Sequence, residues 1–146
     1  NRNAVVFPRA RVEGAPYDFS FSGLKSAVLN HINHAHMMGE EINVPDLMAS
    51  FQYAVVDVLT SHAVEAAKNL GYDKVAIAGG VASNSALRAE MKEACEKAGL
   101  KFYYPSPIFC TDNAAMIGVA GYYEYINGTR SGLDLNAVPN LKLGER

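Results

Sequence analysis

The sequence predicts an α/β fold, and three observations support this class. From residue 74 onward the predicted elements alternate as strand, helix, strand, helix, the order of a βαβ unit with parallel strands. The first of these strands, "KVAIAGG" at 74–80, is a short apolar run that ends in glycines, as expected of a parallel strand covered on both faces. The stretches before it carry apolar residues at helical spacing, so we expect helices beside the sheet.

The beginning of the chain is predicted to be an extended lead-in segment, residues 1–22. Pro8, Gly14 and Pro16 keep this stretch out of a helix. Phe19 and Phe21 alternate with serines, which is typical of a short strand or an extended arm. Because the segment has no initiator methionine and starts in an extended stretch, we expect the sequence to be a piece of a longer chain.

Two helices should follow the lead-in segment. The first runs from Gly23 to about Met38 and ends at Gly39, where apolar residues at spacings of three and four stop. The second and longest begins at Pro45, a residue that suits the first helical turn, and ends at Gly71.

The second half of the chain should complete the α/β unit. An amphipathic helix begins near Asn84, and "KFYYP" reads as a second strand that ends at Pro105. A third long helix spans roughly Asn113 to Asn127, and Thr111 or Asp112 is its expected cap.

Composition excludes several classes of protein. The net charge is −2 over 146 residues, so no global basic field indicates nucleic acid, and any RNA contact would use a local patch. Cys95 and Cys110 have no metal-site spacing, and we expect two reduced, packed thiols in a cytosolic protein. The apolar stretches fall short of the ~20 residues that a membrane helix needs.

The loop between the first strand and its helix, "AGGVASNS", is the first candidate site. Ligands of open α/β sheets bind at the carboxyl ends of the strands. Gly79 and Gly80 leave room for a base, ribose or phosphate near the main chain, and Asn84 suits a sugar hydroxyl or a phosphate oxygen. The spacing fits equally a tight turn in which Asn84 merely caps the helix, and both interpretations stay open.

Asp112 leaves two interpretations open as well, a helix cap or a ligand of a cation at the end of the second strand. The histidines, in contrast, lack an HExxH motif or a carboxylate at a suitable spacing. We therefore expect solvated side chains and assign no metal to this set, which comprises His31, His34, His36 and His62.

Three stretches together resemble a known family: "FSFSGLKSAVLN", "VAIAGGVASNSALRAEM" and "YYPSPIFCTDNAAMIGVAGYYEY". They are similar to the C-terminal half of the universal tRNA threonylcarbamoyladenosine-synthesis family. Its bacterial members are called TsaD, and its older names are glycoprotease and O-sialoglycoprotein endopeptidase. The resemblance extends from about Phe7 to Leu143, and its motifs are long and specific.

The resemblance implies an actin/Hsp70/sugar-kinase fold, in which two ribonuclease-H-like lobes enclose a nucleotide. Residues 1–146 then correspond to the C-terminal lobe, a mixed sheet flanked by helices, without the N-terminal lobe. Asn84 would contact the nucleotide or threonylcarbamoyl-adenylate, with Gly79 and Gly80 beside it, and Asp112 would be a metal ligand.

The sequence also departs from the family pattern. The two histidines of the HxxxH motif and the Gly-rich SGGHT motif belong to the first lobe, and neither motif occurs here. The chain thus carries one of three protein ligands for the family's divalent metal ion, iron or zinc. We expect this piece to be inactive alone.

For the intact protein the resemblance implies an acyltransferase. Threonylcarbamoyl-AMP would give its threonylcarbamoyl group to N6 of the adenosine next to the anticodon of tRNA, and AMP would leave; ATP or ADP are the other expected ligands. The implied partners are its own N-terminal lobe, a smaller paralogue, an ATPase and tRNA, in the cytoplasm. The candidates for contact with RNA phosphates are Arg2, Arg9, Arg11 and Lys25.

Two other functions stay open. A metal-dependent glycoprotease or endopeptidase, as the older names state, would cleave protein without nucleotide. A non-catalytic binding or dimerisation lobe would have no affinity for nucleotide, and substitution of Asn84 would then change nothing measurable.

Overall fold

The computed structural model describes residues 1–142, which form two compact units, Asn1–Thr111 and a second that begins at Asp112. The elements of the first unit are α1 (Ser22–Met38), α2 (Val44–Asn69), β1 (Lys74–Ala76), α3 (Ser85–Ala98) and β2 (Lys101–Tyr103). The second unit contains α4 (Ala114–Ile126). The α/β class and the order of elements are therefore confirmed. The last residues of the predicted tail, 143–146, lie outside the described residues.

Helix α2 organises the first unit because it is buried on two sides. One cluster joins the lead-in segment, α1 and α2, and consists of Phe7, Leu24, Leu47 and Ala54. A second cluster joins α2 to α3 and the strands, and its buried members are Val56, Leu87, Met91 and Cys95. The α3 helix presents the face that the apolar spacing predicted, with Leu87 and Met91 inward.

The sheet is smaller and more exposed than predicted. Strands β1 and β2 pair in parallel with Val75 opposite Phe102, and the Ile77 N–H donates to the Tyr103 carbonyl at 3.0 Å. The prediction of a strand to residue 80, covered on both faces, was wrong: β1 ends at Ala76. Val75 and Phe102 pack against the α2–α3 cluster, whereas Tyr103 on the opposite face is exposed. Within the first unit, helices cover only one face of the sheet.

The ends of α1 and α2 follow the residues that predicted them. Gly39 terminates α1 in the left-handed region at φ 69°, a conformation that costs glycine little. Asn43 caps α2, because its side-chain oxygen accepts a hydrogen bond from the Asp46 N–H at 3.1 Å, and Pro45 lies in the first turn.

The cap of α4 differs from the prediction. Neither Thr111 nor Asp112 caps this helix. The side chain of Asn113 accepts from the Met116 N–H at 2.9 Å, three residues along, which is the spacing that an asparagine cap requires. The Asp112 side chain is therefore not used as a cap.

Helix α4 has no buried residue. Its small residues leave the bare face that the sequence predicted, since a Cβ built on Gly118 or Gly121 would meet no atom within 4 Å among the described residues. No helix within residues 1–142 has the length and apolar character needed to cross a lipid bilayer.

The lead-in segment forms no helix and no strand beyond an isolated bridge between Val12 and Ala15; it contains turns at 2–3, 13–14 and 16–17 and runs along α2. Val5 N–H donates to Ser50 Oγ at 3.1 Å, and Arg9 forms an ion pair with Asp57 at 3.0 Å. Further along, Arg11 contacts Glu65 at 3.3 Å. Segment and helix therefore run in the same direction.

The arginines of the lead-in segment are thus engaged within the protein. Arg9 and Arg11 pair with α2, whereas Arg2 contacts Glu90 of α3 at 3.4 Å and stacks on the Tyr53 ring with 4.5 Å to its centroid. These pairs are partly exposed, so each contributes little stability by itself. Their contact with RNA phosphates stays a prediction.

We expect Met91→Ala to lower the free energy of unfolding by about 2–5 kcal/mol, because it leaves a cavity between α2, α3 and the sheet. Met91 is 2% exposed, whereas Met37 on α1 is 86% exposed and supplies the matched control. Met37→Ala should change the free energy by less than about 0.5 kcal/mol in chemical denaturation. Equal losses in the two variants would contradict the assignment of the core.

Candidate nucleotide-binding loop

The loop after β1 is compact and tied mainly by local bonds. A 3₁₀ turn spans Gly80–Ser83, in which the Ala82 N–H donates to the Gly79 carbonyl at 3.0 Å. The Ser83 hydroxyl donates to the Gly80 carbonyl at 2.6 Å. The turn delivers the chain to Asn84, where α3 begins.

Asn84 caps α3 and makes a second contact. Its Oδ1 accepts from the Leu87 N–H at 2.9 Å, so the cap interpretation is confirmed. Its Nδ2 donates to Gln52 Oε1 on α2 at 3.1 Å. A side-chain amide has two donor hydrogens and an oxygen with two lone pairs. The bonds to Leu87 and Gln52 therefore leave one N–H and one lone pair for a ligand.

The two glycines of the loop have different requirements. Gly79 adopts φ 84° and ψ 175°, a backbone region that is essentially restricted to glycine. Gly80 has a negative φ, and a Cβ built on it would meet only Thr111 Cγ2, at 3.9 Å. The backbone thus requires glycine at 79, whereas at 80 neither conformation nor packing does.

A cavity of about 340 Å³ opens beside Asn84, within the size range of small-molecule sites. Most of its wall is apolar and comes from α2 and the loop, including Met48, Phe51, Val55 and Val81. Its polar groups are the side-chain amides of Gln52 and Asn84, and no charged residue lines it. Such a wall suits a flat, uncharged ring system with polar edges better than it suits a phosphate.

Two residues at this loop escaped the sequence analysis. Nothing in the sequence pattern marks Gln52, because a glutamine beside the apolar face of a helix is an ordinary surface residue. Arg88 likewise resembles a solvated position of α3, yet its guanidinium donates to the carbonyls of Ala82 and Pro105 at 2.5 and 2.9 Å. The Gln52–Asn84 and Arg88–Pro105 contacts join residues 32 and 17 positions apart, which spacing alone does not reveal.

Asp112 begins the second unit, so the two candidate positions belong to different units. The residue is exposed, and its carboxylate forms no hydrogen bond or ion pair with any residue from 1 to 142. Asn113 supplies the helix cap, so the cap interpretation of Asp112 was wrong, and its role as a metal ligand stays a prediction.

The described residues do not fit a complete metal centre. No group of three or more His, Cys, Asp or Glu side chains is arranged to hold an ion within residues 1–142. The prediction of a solvated histidine was wrong for His62, which is 2% exposed. Its Nδ1 lies 3.2 Å from the Asp18 carbonyl, and its ring stacks on Phe19 at 5.8 Å, because the lead-in segment covers this part of α2.

The two thiols are free and buried, as predicted. Cys95 lies in the α2–α3 cluster, and burial raises the pKa of its thiol because an apolar surrounding disfavours the thiolate. Cys110 lies after β2, and its sulfur is 3.1 Å from Arg88 Nη2.

The glycine geometry gives a test that needs no ligand. Gly79→Ala should destabilise the chain by about 1–3 kcal/mol, because alanine is strained in that backbone region. Gly80→Ala should leave the free energy of unfolding within about 0.5 kcal/mol of the wild type. Chemical denaturation of both variants measures the difference. Equal effects at the two positions would contradict the described loop conformation.

The chain is similar to known proteins along its whole length. The family described as TsaD, tRNA N6-adenosine threonylcarbamoyltransferase, matches residues 1–119. The curated protein of that name from Clostridium botulinum (strain Hall) is 57% identical over 146 residues. The Clostridium perfringens protein of the same name (strain ATCC 13124) is also 57% identical over 146 residues.

Both alignments cover 100% of this chain and only 43% of the relative. The chain therefore spans less than half the length of these curated relatives. Because the family match covers most of the sequence and the α/β order of the elements is consistent with it, the chain belongs to the TsaD family of tRNA N6-adenosine threonylcarbamoyltransferases.

Proposed function

We propose that this chain is the C-terminal lobe of a tRNA threonylcarbamoyltransferase and that its Gly79–Asn84 loop forms part of the nucleotide site. The observation that carries the proposal is the free hydrogen-bonding capacity of Asn84 at the rim of an apolar cavity. Relatives named for this activity share 57% of the residues over the whole chain.

In this proposal the adenylate lies with its base in the cavity and the rest of the molecule along the loop. Phe51, Val55 and Val81 offer apolar contact to a purine ring, whose polar edges face the amides of Gln52 and Asn84. Gly80 lets the remainder of the ligand approach the main chain, since no side chain projects there. Because no charged residue lines the cavity, the phosphate has to find its cationic partners elsewhere in the intact protein.

The reaction proposed for the intact protein is acyl transfer. The N6 amine of the adenosine next to the anticodon attacks the carbamoyl carbon of threonylcarbamoyl-AMP, a C–N bond forms, the bond to the phosphate oxygen breaks, and AMP leaves. Asn84 holds the adenylate in a fixed orientation, which lowers the entropic part of the barrier. The amine also loses a proton, and no residue of this chain is assigned to accept it.

A divalent metal, iron or zinc, fits this chain only as one ligand of a shared centre. Asp112 offers an exposed carboxylate without a partner among residues 1–142, and the other ligands come from outside the chain. When bound, such an ion supplies Lewis-acid polarisation of oxygen atoms of the substrate.

The proposed partners follow from the same assignment. They are the N-terminal lobe of the same protein, the smaller paralogue and the ATPase of the bacterial modification complex, and tRNA, all in the cytoplasm. Lys25 remains a candidate for contact with RNA phosphate, since it is exposed on α1 and forms no ion pair within residues 1–142.

Titration calorimetry with ADP and Mg²⁺ tests the nucleotide site in this chain and in the full-length protein. We expect Asn84→Asp to weaken binding by about tenfold or more, because the substitution removes the amide donor and adds a negative charge. Aspartate caps helices as well as asparagine does, so the free energy of unfolding should fall by no more than about 1 kcal/mol, the contribution of the lost bond to Gln52.

Asn43→Asp is the matched control, since Asn43 caps α2 in the same way at 3.1 Å and lies outside the cavity. It should leave ADP affinity unchanged. Equal ADP affinity of the wild type and Asn84→Asp in the full-length protein would contradict the proposal and support a non-catalytic lobe. Cleavage of a protein substrate without nucleotide would support the glycoprotease instead.

A further inference from the structure

Arg88 connects two loops that follow different strands. Its Nε donates to the Ala82 carbonyl at 2.5 Å, in the loop after β1. Its Nη2 donates to the Pro105 carbonyl at 2.9 Å and to Cys110 Sγ at 3.1 Å, in the loop after β2. The guanidinium also lies over the Tyr104 ring, 4.7 Å from its centroid. One half-buried side chain of α3 therefore contacts both loops.

The positive charge of Arg88 has no carboxylate partner among residues 1–142. It is accommodated by carbonyl oxygens, a sulfur and an aromatic face. A planar guanidinium makes such contacts in several directions at once, whereas a lysine ammonium on its flexible stem does not reproduce the fork or the stacking. The arrangement therefore requires the shape of arginine as well as its charge.

The other hydrogen bonds of these loops are mostly local. In the first loop, Asn84 N–H donates to the Val81 carbonyl at 3.0 Å. In the second, Phe109 N–H donates to the Ser106 carbonyl at 2.9 Å, and Cys110 N–H donates to the Pro107 carbonyl at 3.2 Å. Bonds of this kind fix the shape of each loop but not the distance between the two.

We infer that Arg88 is a positioning residue that fixes the Gly79–Asn84 loop relative to the Tyr104–Cys110 loop and thereby holds Asn84 and the cavity in a form ready to bind ligand. The contacts of Arg88 stand by themselves, while the effect on ligand rests on the proposed function. Arg88 does not line the cavity, so its effect on ligand is exerted through the Ala82 carbonyl and the turn that ends at Asn84.

Two substitutions separate shape from charge. Arg88→Met keeps much of the apolar stem and loses every hydrogen bond. Arg88→Lys keeps the charge and supplies a single nitrogen. We call the simultaneous contact of Arg88 with both loops the clamp. If the clamp needs the shape of arginine, both variants lose the fixed arrangement of the two loops. If only the charge matters, Arg88→Lys keeps that arrangement.

Alkylation of the two thiols by iodoacetamide, resolved by mass spectrometry of peptides, reports the clamp without any ligand. Cys110 is 3% exposed beneath Arg88, and Cys95 is fully buried between α2 and α3 and serves as the internal control. We expect the alkylation rate of Cys110 to rise about tenfold or more in both variants, with Cys95 unchanged. Amide hydrogen exchange should accelerate at 80–84 and 108–110 but not inside α2.

Unchanged Cys110 alkylation in both variants, or wild-type behaviour of Arg88→Lys, would overturn the clamp. If Arg88→Met exposes both cysteines, it has lost its fold, and Arg88→Lys then decides. ADP titration of the full-length protein completes the test, with the dissociation constant expected to rise about tenfold in both variants. If the variants expose Cys110 but bind ADP with wild-type affinity, the positioning role is overturned. If the wild-type protein binds no ADP, the proposed function is overturned, and the alkylation result alone decides on the clamp.

Discussion

The first unit depends on one helix that is buried from two directions. A 26-residue helix such as α2 is about 39 Å long. Its N-terminal half packs against α1, and its middle packs against α3. Within the first unit, α1 would keep only its contacts with the lead-in segment if α2 were absent, and the sheet would keep only its contacts with α3. The loop at Asn84 inherits its position from this arrangement, because α3 is anchored on α2 through Leu87 and Met91.

Polar contacts also join α2 to the lead-in segment. Ser50 and His62 are buried, and both are satisfied by the lead-in segment, through Val5 and Asp18. Buried polar groups are costly without partners, so this segment is part of the folded unit and not a free linker. The ion pairs of Arg9 and Arg11 help to fix the alignment of the lead-in segment along α2, and they stabilise the protein only modestly.

The sequence predicted the helices and the loop between β1 and α3, because periodicity and capping are local properties. It could not settle the role of either candidate residue. Asn84 proved to be a cap as well as a candidate ligand residue, and the cap expected of Asp112 is supplied by Asn113. Strand length was overestimated, since an apolar run such as "KVAIAGG" does not reveal how many neighbours its strand has. Arg88 and Gln52 were missed because their partners are distant in sequence.

Asn84 both caps α3 and donates to Gln52, and this limits which residues can replace it in evolution. Selection for a stable α3 alone would accept aspartate or serine at position 84, since these residues cap helices about equally well. The cap at Asn43 is free to drift among such residues without loss of stability. The amide of Asn84 also donates to Gln52, so position 84 should tolerate fewer residues than position 43, even though the two side chains cap their helices in the same way.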